Sequence, residues 1–470
     1  MTRNIISRLF MFLFVLALAF SLGSCTKDAR KEPKPAPGGT PTDPTVTNVI
    51  KGKEYILVPD ANGRLVIDNS NGLYKPGDVL SLKGNFTAVV ISNLNGTASA
   101  PIIVRNATGT VTNIGNPNWS GGSWATALGF TSCRYVKVGG QTSKNDFLIN
   151  GSTQTGKEAY FNLGLASHSD NFEISNLTIR NGGTGIWAKT VPLAGDPTTV
   201  YPNSYMENLI IHDVSISGTN NEGFYIGHTA IYWNLTTNAP YYGTPAGFTA
   251  GQQYVQPIKW RNVKIYNSDV SNIGTTGIQT AAIDGLEIYG NSVTNWGLQH
   301  NSGHNGGIMI GGRTTNSNVH DNYVHDGWGE LIQFYASGEN GGTHIIRNNL
   351  LRDNQLDGIS LRGTNNAVVQ VLNNTVARAG GVSLRVNGYF GMTAPIIANA
   401  NAFIEPRVAT GGTVTLNSYI YTENGGVVTE GTGALANTKF PTVAAAGVNT
   451  TNFYQPISGS ALANTGYRVQ

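Results

Sequence analysis

Cysteine is nearly absent from this 470-residue chain, which has only Cys25 and Cys133. That scarcity excludes a disulfide-built scaffold and a cysteine-rich zinc cluster. Cys133 lies in Phe130-Thr131-Ser132-Cys133-Arg134-Tyr135-Val136, a strand-like run, and reads as a buried structural thiol. Charge is also sparse: 12% of residues, 30 basic against 27 acidic, for a formal net charge of +3. Without Arg3 and Arg8 of the leader the balance is +1, and no basic stripe is present, so nucleic acid is not an expected partner. In place of charge the chain has 59 glycines and many Asn, Thr and Ser residues, a composition that suits a turn-rich all-β protein.

Residues 1–25 form a targeting segment. Arg3 and Arg8 make a positive n-region, and Leu9 to Leu22 is an apolar stretch too short to span a bilayer. Its end, Leu22-Gly23-Ser24-Cys25, resembles a bacterial lipobox. The resemblance implies lipidation of Cys25, a membrane anchor, and a place in the cell envelope, periplasmic or at the outer-membrane surface. The alternative is an ordinary signal peptide with an incidental cysteine. Residues 26–45 carry Pro33, Pro35, Pro37, Pro41 and Pro44 and read as a stiff tether.

A phrase recurs through the middle of the chain: a short apolar run, a polar turn, an apolar residue, then Gly-apolar-x-apolar. It reads Val263-Lys264-Ile265, Val270, Gly277-Ile278-Gln279-Thr280, and returns at Leu286 through Ile310 and at Ile345 through Leu361. Each pass takes roughly 23 to 31 residues, the period of a supersecondary unit stacking on its neighbour. Period-two alternation over such short runs indicates strands. The expected fold is all-β, a single parallel β-helix with three sheets over residues 46–405, loop insertions, and last coils with a C-terminal cap over 406–470. A monomer is expected.

Lys75-Pro76-Gly77-Asp78-Val79-Leu80-Ser81-Leu82, with Leu94-Asn95-Gly96-Thr97-Ala98 and Pro101-Ile102-Ile103-Val104, resembles the opening coils of secreted right-handed parallel β-helix proteins, the pectate-lyase-like superfamily. Ser458-Gly459-Ser460-Ala461-Leu462 resembles how its bacterial members end. Within that superfamily the opening coils look most like polysaccharide lyases of the chondroitinase B and alginate lyase type. That likeness implies β-elimination by a Lys and Arg pair, with or without Ca²⁺. No lysine lies on the first sheet beside Arg362 or Arg385, and the polygalacturonase Gly-His-Gly pattern is missing.

Aligning the repeats gives columns. Ser268, Asn291, Asn322, Asn348 and Asn374 share one turn and form an expected buried ladder. On the first sheet Ile186, Phe224, Ile278, Ile308, Ile332, Ile359 and Val382 point inward, and Trp187, Tyr225, Gln279, Met309, Gln333, Ser360 and Ser383 outward. Lys189, Tyr335, Arg362 and Arg385 fall in the next outward column. Glu330 and Asp357 occupy successive coils two residues ahead of the inward column. Neighbouring strands place such carboxylates about 5 Å apart. Either one holds a proton, as in a retaining glycosidase, or Ca²⁺ shares them. The plain alternative is that each merely pairs with Arg362 or Arg385.

The expected chemistry is cleavage of an acidic, uronate-containing polysaccharide by β-elimination. Arg362 and Arg385 hold carboxylates, Glu330 and Asp357 bind Ca²⁺ or share a proton, and Tyr335 or His304 moves the proton. Lys189, Trp187, Tyr225, His228, Gln279, Arg313 and Gln333 line the cleft. Trp233 and Tyr242, on the long aromatic insertion Thr229 to Lys259, wall it. The alternatives are a glycoside hydrolase using Glu330 and Asp357, and a non-catalytic glycan-binding or adhesive protein. His320-Asp321 and His325-Asp326 fall on other faces and do not make a zinc site.

Overall fold

The computed structural model describes residues 52–243, 253–335, 341–389, 391–462 and 464–469, all within one compact unit. Cys25, the leader and the tether lie outside the described residues.

Twelve parallel strands, from Arg64–Asp68 to Ile420–Glu423, stack in chain order as the first face. The second and third faces join into one 23-stranded sheet. Long strands such as Asp170–Arg180 and Tyr205–Ser217 run through the corner between them without a break. The chain is thus a parallel β-helix with three faces. Ile186, Phe224, Ile278, Ile308, Ile332 and Ile359 pair in that order and are fully buried.

The recurrent glycine has a steric cause. A Cβ on Gly277, Gly307 or Gly358 would come within 2.4–2.6 Å of a Val Cγ on the third face: Val293, Val324 and Val376 in turn. The corner therefore points inward at the glycine and leaves no room for a side chain. Leu331 takes that place in the 330 coil and is fully buried.

Two expected registers are off. The amide ladder runs through Asn291, Asn322, Asn349, Asn374, Asn401 and Asn437, each side-chain oxygen accepting from the amide before it. Asn349, not Asn348, is the member; Asn348 sits at φ 48° and accepts a hydrogen bond from the Arg468 backbone instead. On the first face Ile359 pairs with Leu384, not Val382, so Arg385 aligns with Ser360 and Asn387 with Arg362. Gly381-Val382-Ser383-Leu384 repeats the Gly-apolar-x-apolar phrase two residues early, whereas Val376 to Leu384 keeps the same spacing as Leu351 to Ile359, so the inward residue is Leu384.

After the last coils the chain turns back across the outside of the third face. Tyr454, Leu462 and Tyr467 cover Tyr323, Leu350, Ala377 and Ala402, whose outward side chains are apolar for that reason. Cys133 is buried in the main core as expected, and burial pushes its thiol up to about 11.

Candidate functional site on the first face

The two insertions meet. Val200–Tyr201 pairs with Tyr254–Pro257, which pairs with Tyr232–Asn234, giving a small antiparallel sheet beside the coils of Trp187 and Tyr225. In these coils Lys189 extends over aromatic rings: its Nζ lies 3.8 Å from the Tyr225 ring centroid and 5.6 Å from that of Trp187. Among the described residues no carboxylate lies within ion-pair distance of it. Burial lowers the ammonium pKa to about 8, against the opposing pull of Tyr242 and Glu222. Glu222 itself accepts from Thr184 Oγ1 at 3.1 Å. The Tyr225 hydroxyl is 2.8 Å from Thr229 Oγ1, and burial raises its pKa to about 12.

Of the expected aromatic wall, Tyr242 stands exposed, whereas Trp233 is buried, donates to Asn238 Oδ1 at 3.2 Å, and packs edge-on to His228. His228 is a correction. It is 3% exposed, its Nε2 donates to Thr190 O at 2.8 Å, and burial first, then Lys189, drives its pKa well down. A neutral, buried imidazole holding a backbone carbonyl supports the site and does not touch a ligand. Arg313 is likewise buried and donates to Pro257 O at 2.7 Å, bracing the insertion and not lining the groove. Aromatic residues that the repeat alignment missed extend this end: Trp124 stacks on Phe161 at 5.3 Å, and Phe161 lies 5.4 Å from Trp187.

The middle of the face is covered. Gln279, expected outward and open, is fully buried beneath the 298–305 insertion, with His304 Nδ1 3.3 Å from its Oε1. Gln333 and Met309 are buried as well. The insertion is tied down by Trp296 Nε1 donating to Asn305 O and by the Gln299 amide on Asn220 O. No continuous groove therefore joins Lys189 to Arg385 over this floor.

Beyond the insertion the charges pair with one another. Arg362 donates to Glu330 Oε1 at 2.7 Å, and Arg385 bridges Asp357 at 3.2 Å and Glu423 at 2.8 Å. Asp357 Oδ1 also accepts from Val382 N. Glu330 is 2% exposed; burial raises its pKa against the pull of Arg362, and its Oε2 has no hydrogen-bond partner. Tyr335 aligns with Arg362 and is exposed. A guanidinium stands at each of the two carboxylates where a cation would sit. Among the described residues no group of three or more His, Cys, Asp or Glu side chains could hold a metal. The set does not fit Ca²⁺. His320 and His325 each bond the following aspartate, on the second and third faces.

No family model matches the chain, and no curated protein does. Among solved structures, the GH136 lacto-N-biosidase from Eubacterium ramulus superposes with a TM-score of 0.53 at 13% identity, over 83% of this chain and 68% of that one. Pectate lyase Pel9A matches 89% of this chain and 93% of its own at 13% identity, with a TM-score of 0.41. At such identities the first likeness is one of fold alone: the chain is a right-handed parallel β-helix.

Proposed function

We propose that the chain is a carbohydrate-active enzyme of the cell envelope, anchored through Cys25, that cleaves an acidic polysaccharide by β-elimination at Lys189. The observation that supports this reading is a desolvated lysine on an aromatic floor with no acid beside it. With no acid beside it to hold the proton, the ammonium is disfavoured and its neutral form is accessible near pH 8. In the reaction the neutral Nζ takes the C5 proton. The C5–H electron pair forms the C4=C5 double bond, the C4–O bond breaks, and the departing oxygen takes a proton from solvent or from Tyr225. Trp187 and Tyr225 hold the sugar ring, and Tyr242 closes the wall. Ca²⁺ has no part here.

A second reading rests on Glu330. A buried carboxyl with a raised pKa and one unbonded oxygen is suited to donate a proton to a glycosidic oxygen, with hydrolysis as the outcome. The test is incubation with uronate polymers. Absorbance of the unsaturated product that disappears in Lys189→Met supports elimination. New reducing ends without that absorbance, lost in Glu330→Gln, support hydrolysis. Binding without either signal leaves a glycan-binding protein.

A further inference from the structure

At its C-terminal end the first face opens into a cavity of about 410 Å³ bordered by Asp357, Arg385, Arg407, Thr413, Asn417 and Tyr421. Its two arginines differ. Arg385 is already balanced by Asp357 and Glu423. The half-buried Arg407 makes no side-chain hydrogen bond or ion pair among the described residues. Its guanidinium is nonetheless placed by the chain around it. The Arg407 backbone N–H donates to Gly381 O at 2.8 Å, and a Cβ on Gly412 would lie 2.7 Å from Arg407 Nε. Glycine at 412 therefore leaves the space that the guanidinium occupies. Tyr421 is exposed beside it, with its ring 5.8 Å from the Arg385 guanidinium. The cavity thus combines one unbalanced planar cation, an aromatic ring and neighbouring hydroxyl and amide groups, the combination that recognises an acidic sugar.

We propose that this cavity is a second binding site, an exosite for a uronic acid unit. The unit's carboxylate takes the forked guanidinium of Arg407 and its ring rests on Tyr421. Six strand steps separate the Trp187 coil from the Arg385 coil. At about 4.8 Å each this is about 29 Å. With the covered middle between them, the exosite holds a distant part of the polymer while Lys189 acts elsewhere. The proposal rests on the reading of the ligand as an acidic polysaccharide, but not on β-elimination.

The test is affinity electrophoresis of the full chain in gels containing polygalacturonate, alginate, a sulfated galactan or neutral pullulan. Arg407→Gln should weaken retention by the uronate polymers about tenfold while leaving thermal stability unchanged. Gly412→Ala, which displaces the guanidinium, should act in the same direction. Cleavage of a short uronate oligomer, which cannot span both places, should be unchanged in Arg407→Gln. Retention of Arg407→Gln within twofold of the parent overturns the exosite, as does equal retention by pullulan or a preference for the sulfated polymer. Retention that needs Arg407, without any cleavage, leaves the exosite standing and removes the elimination reading alone.

Discussion

Two regions of the first face treat the positive charges carried by its strands in opposite ways. At the C-terminal end Arg362 and Arg385 meet Glu330, Asp357 and Glu423, so each guanidinium is neutralised inside the protein. Beside the fifth of the twelve strands Lys189 meets ring faces, and Glu222, the acid that pulls on it, accepts a hydrogen bond from Thr184. A substrate carboxylate arriving at Arg362 must displace an internal acid and leave it buried. The same group arriving at Lys189 relieves a cation that burial has already destabilised. Identical formal charges on one sheet are thus a structural network in one place and a receptive site in the other. What separates them is whether a neighbouring coil supplies the counter-charge.

Substitutions in the two regions should therefore fail differently. The largest effect is expected from Lys189→Met, which should reduce cleavage by about 10²–10⁴-fold. Its melting temperature should hold or rise, because a costly buried charge is gone. Unchanged turnover would place the chemistry elsewhere and collapse the contrast. Next comes Arg362→Ala, expected to cost about 3–5 kcal/mol of stability by stranding the buried Glu330. Adding Glu330→Gln should restore most of that loss, as read by denaturant midpoints. If Arg362→Ala instead keeps its midpoint and loses cleavage, the arginine end is the active one. Smaller again is Asn322→Leu in the amide ladder, which strands the groups on Asn291 and Asn349 and should cost about 1–3 kcal/mol without changing activity.

Much of this was legible in the sequence, because a β-helix writes its coils as a period. The glycine before each inward isoleucine, the asparagine turn and the three strands per coil all follow from one-residue geometry repeated along the axis. Glu330 and Asp357 do lie on one rim. What the repeat did not reveal are the departures from it. Gly381-Val382-Ser383-Leu384 mimics the repeated phrase two residues early and so misplaces Arg385, and the choice between Asn348 and Asn349 turns on which of two neighbours faces inward. Burial by another segment is also invisible to periodicity. His304 closes over Gln279, and the insertion strands enclose His228 and Arg313, so three residues expected to face substrate are supports. The contrast between a paired Arg362 and a Lys189 set over rings was hidden for the same reason. A column shows where a charge stands and leaves pairing as one alternative; in the structure Glu330 does reach Arg362, and Asp357 reaches Arg385.

The second face offers an internal control, with the smallest expected effect. His212, Tyr266, Tyr289 and His320 stack along it with centroids 4.8, 4.8 and 5.1 Å apart. Burial disfavours the His212 imidazolium, but the hydrogen bonds it donates to Glu173 and Asp213 outweigh it and raise the pKa. Glu173 is lowered to about 2, chiefly by His212, against the cost of burial. A raised histidine contributes stability that is full below its unfolded value, about 6.5, and is lost as pH rises through the folded value. The lowered Glu173 contributes above its ordinary value and loses that contribution as pH falls toward 2. The melting temperature should therefore decline modestly from pH 6 to 8, and His212→Gln should flatten the slope, with His320 supplying the remainder. Cleavage has the opposite sign: a lysine base at about 8 makes turnover rise over the same interval. Because the two slopes diverge, a pH profile of turnover that merely follows stability would mean that no group on the first face titrates during the reaction, and Lys189 would not be its base.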